Sequence, residues 1–198
     1  MVSSLLKGWA NRLLVPMAHL IARIGMPPNL LTAIGFALNV VAAYFIAQGH
    51  MRAGGLLVIA AGLFDALDGA LARSSGKTSR FGAFLDSTLD RLSEAAIYLG
   101  LLVFYTQRGI RRESLLIYAA VIGSLMVSYT RARAEGLGIE CTVGLFTRFE
   151  RVAVLALGLL SQRMLIALWA LAILTNFTAL QRIYHVWRVT RGDGGGRD

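Results

Sequence analysis

Cysteine is almost missing from this chain. Cys141 stands alone among 198 residues, which excludes an internal disulfide and any metal site built on several thiolates; it reads as a small residue in a loop. The three histidines, His19, His50 and His185, are not at metal-ligand spacing and are expected at interfaces, while Trp9, Trp169 and Trp187 are expected as interface anchors or packing residues. Charge is scarce too, at 16% of residues against 56% hydrophobic, with a mean hydropathy of +0.62. Soluble domains carry about 25% charged residues, so the composition excludes an ordinary soluble enzyme and puts the chain in a membrane. Acids are the rarer sign, 11 against 20 basic residues, for a net charge of +9. Such a balance can mark a nucleic-acid binder, but the basic residues sit at the ends of apolar stretches, so no nucleic-acid partner is expected. The N-terminal segment lacks the short apolar run and cleavage site of a signal peptide, and Lys7, Arg12, Pro16 and Arg23 interrupt it.

What is there is hydrocarbon in long blocks. Stretches at about 30–48, 53–72, 83–105, 114–134, 146–161 and 164–187 approach the length of roughly 20 residues that crosses a bilayer. The expected fold is therefore an all-α integral membrane protein of six transmembrane helices, preceded by an amphipathic surface helix over residues 3–24 whose apolar side is Leu5, Leu6, Trp9, Leu13, Leu20 and Ile24. The expected organisation is a juxtamembrane segment 1–28, one membrane domain 29–190 and a glycine-rich flexible tail 191–198. Pro27 and Pro28 end one helix, and Asn29 or Thr32 can cap the next. Placing both termini in the cytoplasm puts most arginines and lysines inside, with Arg52, Arg108, Arg111, Arg112 and Arg163 outside.

The scarce acids are not scattered. Asp65 and Asp68 fall toward the end of the second stretch, and Asp86 and Asp90 near the start of the third. The first pair, at i and i+3, shares one helix face, and the second pair, at i and i+4, shares another. A short polar connection, Arg73 to Phe81, joins the two helices as antiparallel neighbours, so the pairs converge. Ionised carboxylates near a bilayer cost at least a few kcal/mol unless compensated. An all-oxygen set selects a hard cation, Mg²⁺ or Mn²⁺, and four carboxylates carry charge enough for two such ions, an arrangement suited to phosphoryl chemistry. Gly69, Ala72 and Gly82 lie in register with the acids and leave space between the helices for a ligand.

The run Asp65-x2-Asp68-Gly69-x2-Ala72-Arg73-x8-Gly82-x3-Asp86-x3-Asp90 resembles the complete signature of the CDP-alcohol phosphatidyltransferases. The resemblance implies a six-helix membrane fold, a homodimer, in the cell membrane with its active site facing the cytoplasm. It implies transfer of a phosphatidyl group from CDP-diacylglycerol or CDP-archaeol to an alcohol, with release of CMP. Carried over by position, Asp65, Asp68 and Asp86 would hold one metal and Asp65, Asp86 and Asp90 a second, with Asp90 also the general base. Gly69, Ala72, Arg73, Ser79, Gly82 and the segment Asn29, Leu30, Leu31 and Thr32 would line the CDP-lipid site.

The acceptor must be read from the second half. Arginines there stand on three helices: Arg131 in SYTRARAEG, Arg151 in RFER and Arg182 in QRIYHVW. Arg182 interrupts a long apolar run and must face a wet cavity or snorkel to the surface. Guanidinium groups converging on one cavity suit a phosphorylated alcohol. This half resembles the phosphatidylinositol-phosphate and archaetidylinositol-phosphate synthase branch, which implies inositol 1-phosphate as acceptor and Arg131, Arg151 and Arg182 as its phosphate ligands. Arg131 stands where actinobacterial members carry lysine, and Phe149 where they carry proline. Glycerol 3-phosphate is the rival acceptor. A divalent-cation transporter would need acids spread through the membrane depth, and here they gather near one face.

Overall fold

The computed structural model describes residues 27–75 and 79–193, apart from the side chains at 28, 68–75, 192 and 193. The expected surface helix at 3–24 and the last residues of the tail lie outside the described residues. Those described form six α-helices and no strand: α1 Pro28–Ala47, α2 Met51–Ser75, α3 Arg80–Gln107, α4 Arg111–Glu135, α5 Arg148–Ser161 and α6 Met164–Asp193. Each apolar stretch of the sequence becomes one helix.

The helix ends follow from local chemistry. Pro27 is extended, and Pro28 opens α1 with a φ already suited to a helix. Ser79 caps α3, its Oγ accepting from the Gly82 amide at 2.9 Å. Thr147 and Glu150 form a reciprocal capping box at the start of α5. Gly49 and Gly109 take positive φ in the turns after α1 and α3.

α1 packs along α2 and α3, α4 packs along α6, and α5 bridges α2 to α6. The shared interior contains Ala42, Ile46, Leu101, Ile117, Leu155, Leu159, Leu168 and Leu171. The outer faces are apolar as well: Leu63, Leu99, Leu115, Tyr118, Leu157, Ile166 and Leu180 are all exposed. An apolar surface of this kind asks for lipid rather than water.

Among the described residues, three helices are long and apolar enough to cross a membrane: Asn29–Ala47 in α1, Arg111–Glu135 in α4 and Met164–Arg191 in α6. This is fewer than the six spans expected. α5, at 14 residues, reaches only about 21 Å at 1.5 Å per residue, and α2 and α3 each give part of their length to charged residues.

Small residues set the closest helix approach. A Cβ on Gly100 of α3 would lie 2.4 Å from the Ala43 carbonyl oxygen of α1, and backbone cannot yield as a side chain can. Gly100→Ala is expected to cost about 1–3 kcal/mol, read as a lower Tm in detergent. An unchanged Tm would show that α1 and α3 can separate there freely.

Candidate active site

The second half of α2 brings Asp65 to the opening turns of α3. Asp65 comes from α2, and Asp86 and Asp90 from successive turns of α3. Their carboxylates each place an oxygen within 4.8 Å of the others. Asp68 lies one turn beyond Asp65 on α2; its side chain, like those of Ala72 and Arg73 and the surroundings of Gly69, is outside the described residues. Two like charges 4 Å apart repel by about 4 kcal/mol at an effective dielectric of 20, so such a cluster needs a cation. Arg148 supplies one charge: its Nη1 lies 2.9 Å from Asp65 Oδ2 and its Nη2 2.5 Å from Asp90 Oδ1. Asp86 Oδ1 is buried with no hydrogen-bond partner among the described residues. An orphaned carboxylate oxygen beside two further carboxylates, in an all-oxygen set, fits a hard divalent cation.

Three residues expected at the CDP-lipid site meet beside this cluster. A Cβ on Gly82 would lie 3.0 Å from both Asn29 Oδ1 and Ser79 Oγ, so any larger residue would crowd the start of α3. Thr32 lines a narrow cavity of about 30 Å³ together with Asp65, Asp90 and Arg148. Leu30 is exposed, whereas Leu31 is only 1% exposed; its side chain belongs to the interior, and only its backbone can face a ligand.

The three acceptor arginines line one cavity of about 210 Å³, with Asp90, Glu94, Thr147 and Arg148 also in its wall. They differ in what already satisfies them. Arg131 is exposed and pairs with Glu135 one turn on, at 2.7 Å, a contact worth about 0.3–0.5 kcal/mol. Arg151 is buried and makes a forked pair with Glu94, Nε to Oε1 at 2.7 Å and Nη2 to Oε2 at 2.8 Å. Arg182, buried at 3% exposure, donates through Nε to the Val143 carbonyl at 2.9 Å and through Nη1 to the Val127 carbonyl. It has no carboxylate partner among the described residues. The segment between α4 and α5 is held onto α6 around it: the Leu145 amide donates to Gln181 Oε1 at 3.3 Å and His185 Nε2 donates to the Glu140 carbonyl at 3.1 Å. Gly144 fits there because its φ is +132° and a Cβ would meet Thr178 at 2.7 Å. Cys141 is buried in the same loop.

Sequence reasoning missed Arg148 and Glu94. Both had a signal. Glu94 continues the four-residue spacing of Asp86 and Asp90, and Arg148 precedes Arg151 by three residues on one helix face. Because Glu94 and Arg151 are almost fully buried, Glu94→Ala is expected to destabilise by about 3–5 kcal/mol through the unpaired guanidinium it leaves. Thermal unfolding in detergent measures this; a Tm equal to that of the parent would mean water reaches Arg151.

The comparisons with known proteins agree with this geometry. The CDP-alcohol phosphatidyltransferase family model matches residues 26–188. The archaetidylinositol phosphate synthase of Pyrococcus horikoshii is 43% identical over 166 residues, covering 83% of this chain and 85% of that protein. The crystal structure of Mycobacterium tuberculosis phosphatidylinositol phosphate synthase with CDP-DAG bound superposes with a TM-score of 0.83 at 32% identity, covering 89% of this chain and 94% of that one. The same enzyme in complex with manganese and citrate gives 0.79 at 31% identity, over 88% and 89% of the two chains. With the acid signature complete in the sequence and three of its carboxylates converging in the fold, the chain belongs to the CDP-alcohol phosphatidyltransferase family, whose members are transferases.

Proposed function

We propose that this protein transfers the lipid phosphoryl group of CDP-diacylglycerol or CDP-archaeol to inositol 1-phosphate, releasing CMP. The observation that carries the acceptor is Arg182. A guanidinium buried in an apolar helix, bonded to carbonyls, lining a polar cavity and paired with no carboxylate among the described residues, leaves a positive charge that an acceptor phosphate would balance. The names of the relatives from Pyrococcus and Mycobacterium support inositol phosphate over glycerol 3-phosphate.

In this reading Asp65, Asp68, Asp86 and Asp90 hold two divalent ions, Mg²⁺ or Mn²⁺. Such ions neutralise the pyrophosphate and stabilise the departing CMP. Asn29, Thr32, Ser79 and Gly82, with Gly69, Ala72 and Arg73, bind the CDP portion. Arg131, Arg151 and Arg182 hold the acceptor phosphate and orient its sugar hydroxyl toward the acid cluster. The hydroxyl oxygen attacks the lipid-bearing phosphorus, the bond from that phosphorus to CMP breaks, and Asp90 accepts the hydroxyl proton. Asp90 suits this role because it lines both the narrow cavity beside Asp65 and the arginine cavity.

We also propose six spans in a homodimer in the cell membrane, with both termini and the active site cytoplasmic and residues 29–190 as one domain between a surface helix and the tail. The clustering of Arg131 near the C-terminal end of α4 with Arg148 and Arg151 at the start of α5, two ends joined by one loop, supports this orientation.

The test is CMP release by the purified protein with Mg²⁺ and CDP-lipid, offering inositol 1-phosphate, free inositol, glycerol 3-phosphate or serine in parallel. Turnover with inositol 1-phosphate alone is expected. Preference for glycerol 3-phosphate would overturn the acceptor and leave the chemistry.

A further inference from the structure

Arg148 belongs to two places at once. Its guanidinium bridges Asp65 on α2 and Asp90 on α3, and the residue lines both the narrow cavity beside the acids and the larger arginine cavity. Its Nε is buried without a hydrogen-bond partner among the described residues, so the side chain has donor capacity that the two carboxylates leave unused.

We propose that Arg148 couples the acid cluster to the acceptor cavity, so that a divalent cation and an acceptor phosphate bind cooperatively through this side chain. The inference rests on the reading that the arginine cavity receives the acceptor phosphate. A cation held by Asp65 and Asp90 and the guanidinium of Arg148 are rivals for the same carboxylates, and like charges side by side repel. As the cation takes the carboxylates, Arg148 loosens its hold on them. The nearest anion it can then meet is one in the cavity whose wall it already forms. The capping box of Thr147 and Glu150 fixes the backbone at this point, so the exchange needs only rotation about side-chain bonds. A planar fork suits either role, spanning two carboxylates or two oxygens of one phosphate. Linkage makes the effect reciprocal: whatever factor the metal adds to anion affinity, the anion adds to metal affinity.

The experiment is calorimetry on the full-length protein in detergent, titrating inositol 1-phosphate with and without saturating Mg²⁺, in the parent and in Arg148→Gln. Mg²⁺ is expected to tighten the parent's binding by about tenfold, and that of the variant by less than about threefold. Mg²⁺ titrated alone is expected to bind the variant more tightly than the parent, since its rival is gone. An equal Mg²⁺ effect in both proteins would overturn the coupling and leave the acceptor reading standing. No binding of inositol 1-phosphate by the parent in either condition would overturn the acceptor reading, and the coupling with it. Arg148→Met keeps much of the side chain's length and removes its charge; it replaces the glutamine variant if that one does not fold, and the same loss of the Mg²⁺ effect is expected.

Discussion

Asp90→Asn is expected to lower CMP release by about 10³-fold or more at saturating Mg²⁺, combining the loss of a general base with the loss of a charged ligand. Affinity for the CDP-lipid should stay within about threefold, because three aspartates and the nucleotide contacts remain. The substitution keeps the size of the side chain and removes its charge and its ability to take a proton. Arg148 retains its 2.9 Å contact to Asp65, so the cavity wall should survive. Steady-state CMP release and equilibrium binding of the CDP-lipid separate the two effects. Turnover within tenfold of the parent would remove Asp90 from the proton transfer and send the search for a base to Asp86 or Glu94. A cation transporter would respond differently, losing metal flux with no CMP formed by the parent at all.

How much of this was legible beforehand depends on the kind of signal. The convergence of Asp65, Asp86 and Asp90 could be read from spacing, because i, i+3 and i+4 offsets fix a helix face and a short polar connection fixes which helices are neighbours. All six helices could be read from long apolar runs. The number that pass as spans by length and hydropathy could not, since loop residues such as Phe146 are themselves apolar and lengthen the run that becomes the 14-residue α5. Arg182 was legible as an anomaly: a charge inside an apolar run must find a cavity, and it lines one. Its hydrogen-bond partners were not, because Val127 and Val143 contribute backbone carbonyls, which carry no sequence signature. Partners across helices were the least legible. Glu94 meets Arg151 and Arg148 meets Asp65 from elements far apart in the chain, and only the packing of α3 and α2 against α5 brings them together. Nor did the sequence separate Leu31 from Leu30; burial alone tells them apart.

Arg182→Met is expected to lower kcat/KM for inositol 1-phosphate by about 30-fold or more, the range found when one side of a buried hydrogen-bonded charge pair is truncated. Affinity for the CDP-lipid should be unchanged, since Arg182 lines a cavity apart from Asn29, Ser79 and Gly82. The stability effect should run against the activity effect. Methionine fills much of the same volume without a charge to desolvate, and replacing buried ions by apolar groups of similar size is often neutral or stabilising by about 1–4 kcal/mol. The Val143 and Val127 carbonyls each lose a donor, which sets part of that gain back by about 1 kcal/mol apiece. A Tm equal to or above that of the parent, together with poor acceptor use, would mark Arg182 as a residue kept for binding an anion. A merely structural arginine would do the reverse, lowering Tm while leaving the acceptor KM alone. The preference for inositol 1-phosphate over free inositol adds a further readout: it should shrink in the variant, because only the phosphorylated acceptor uses the charge that methionine lacks.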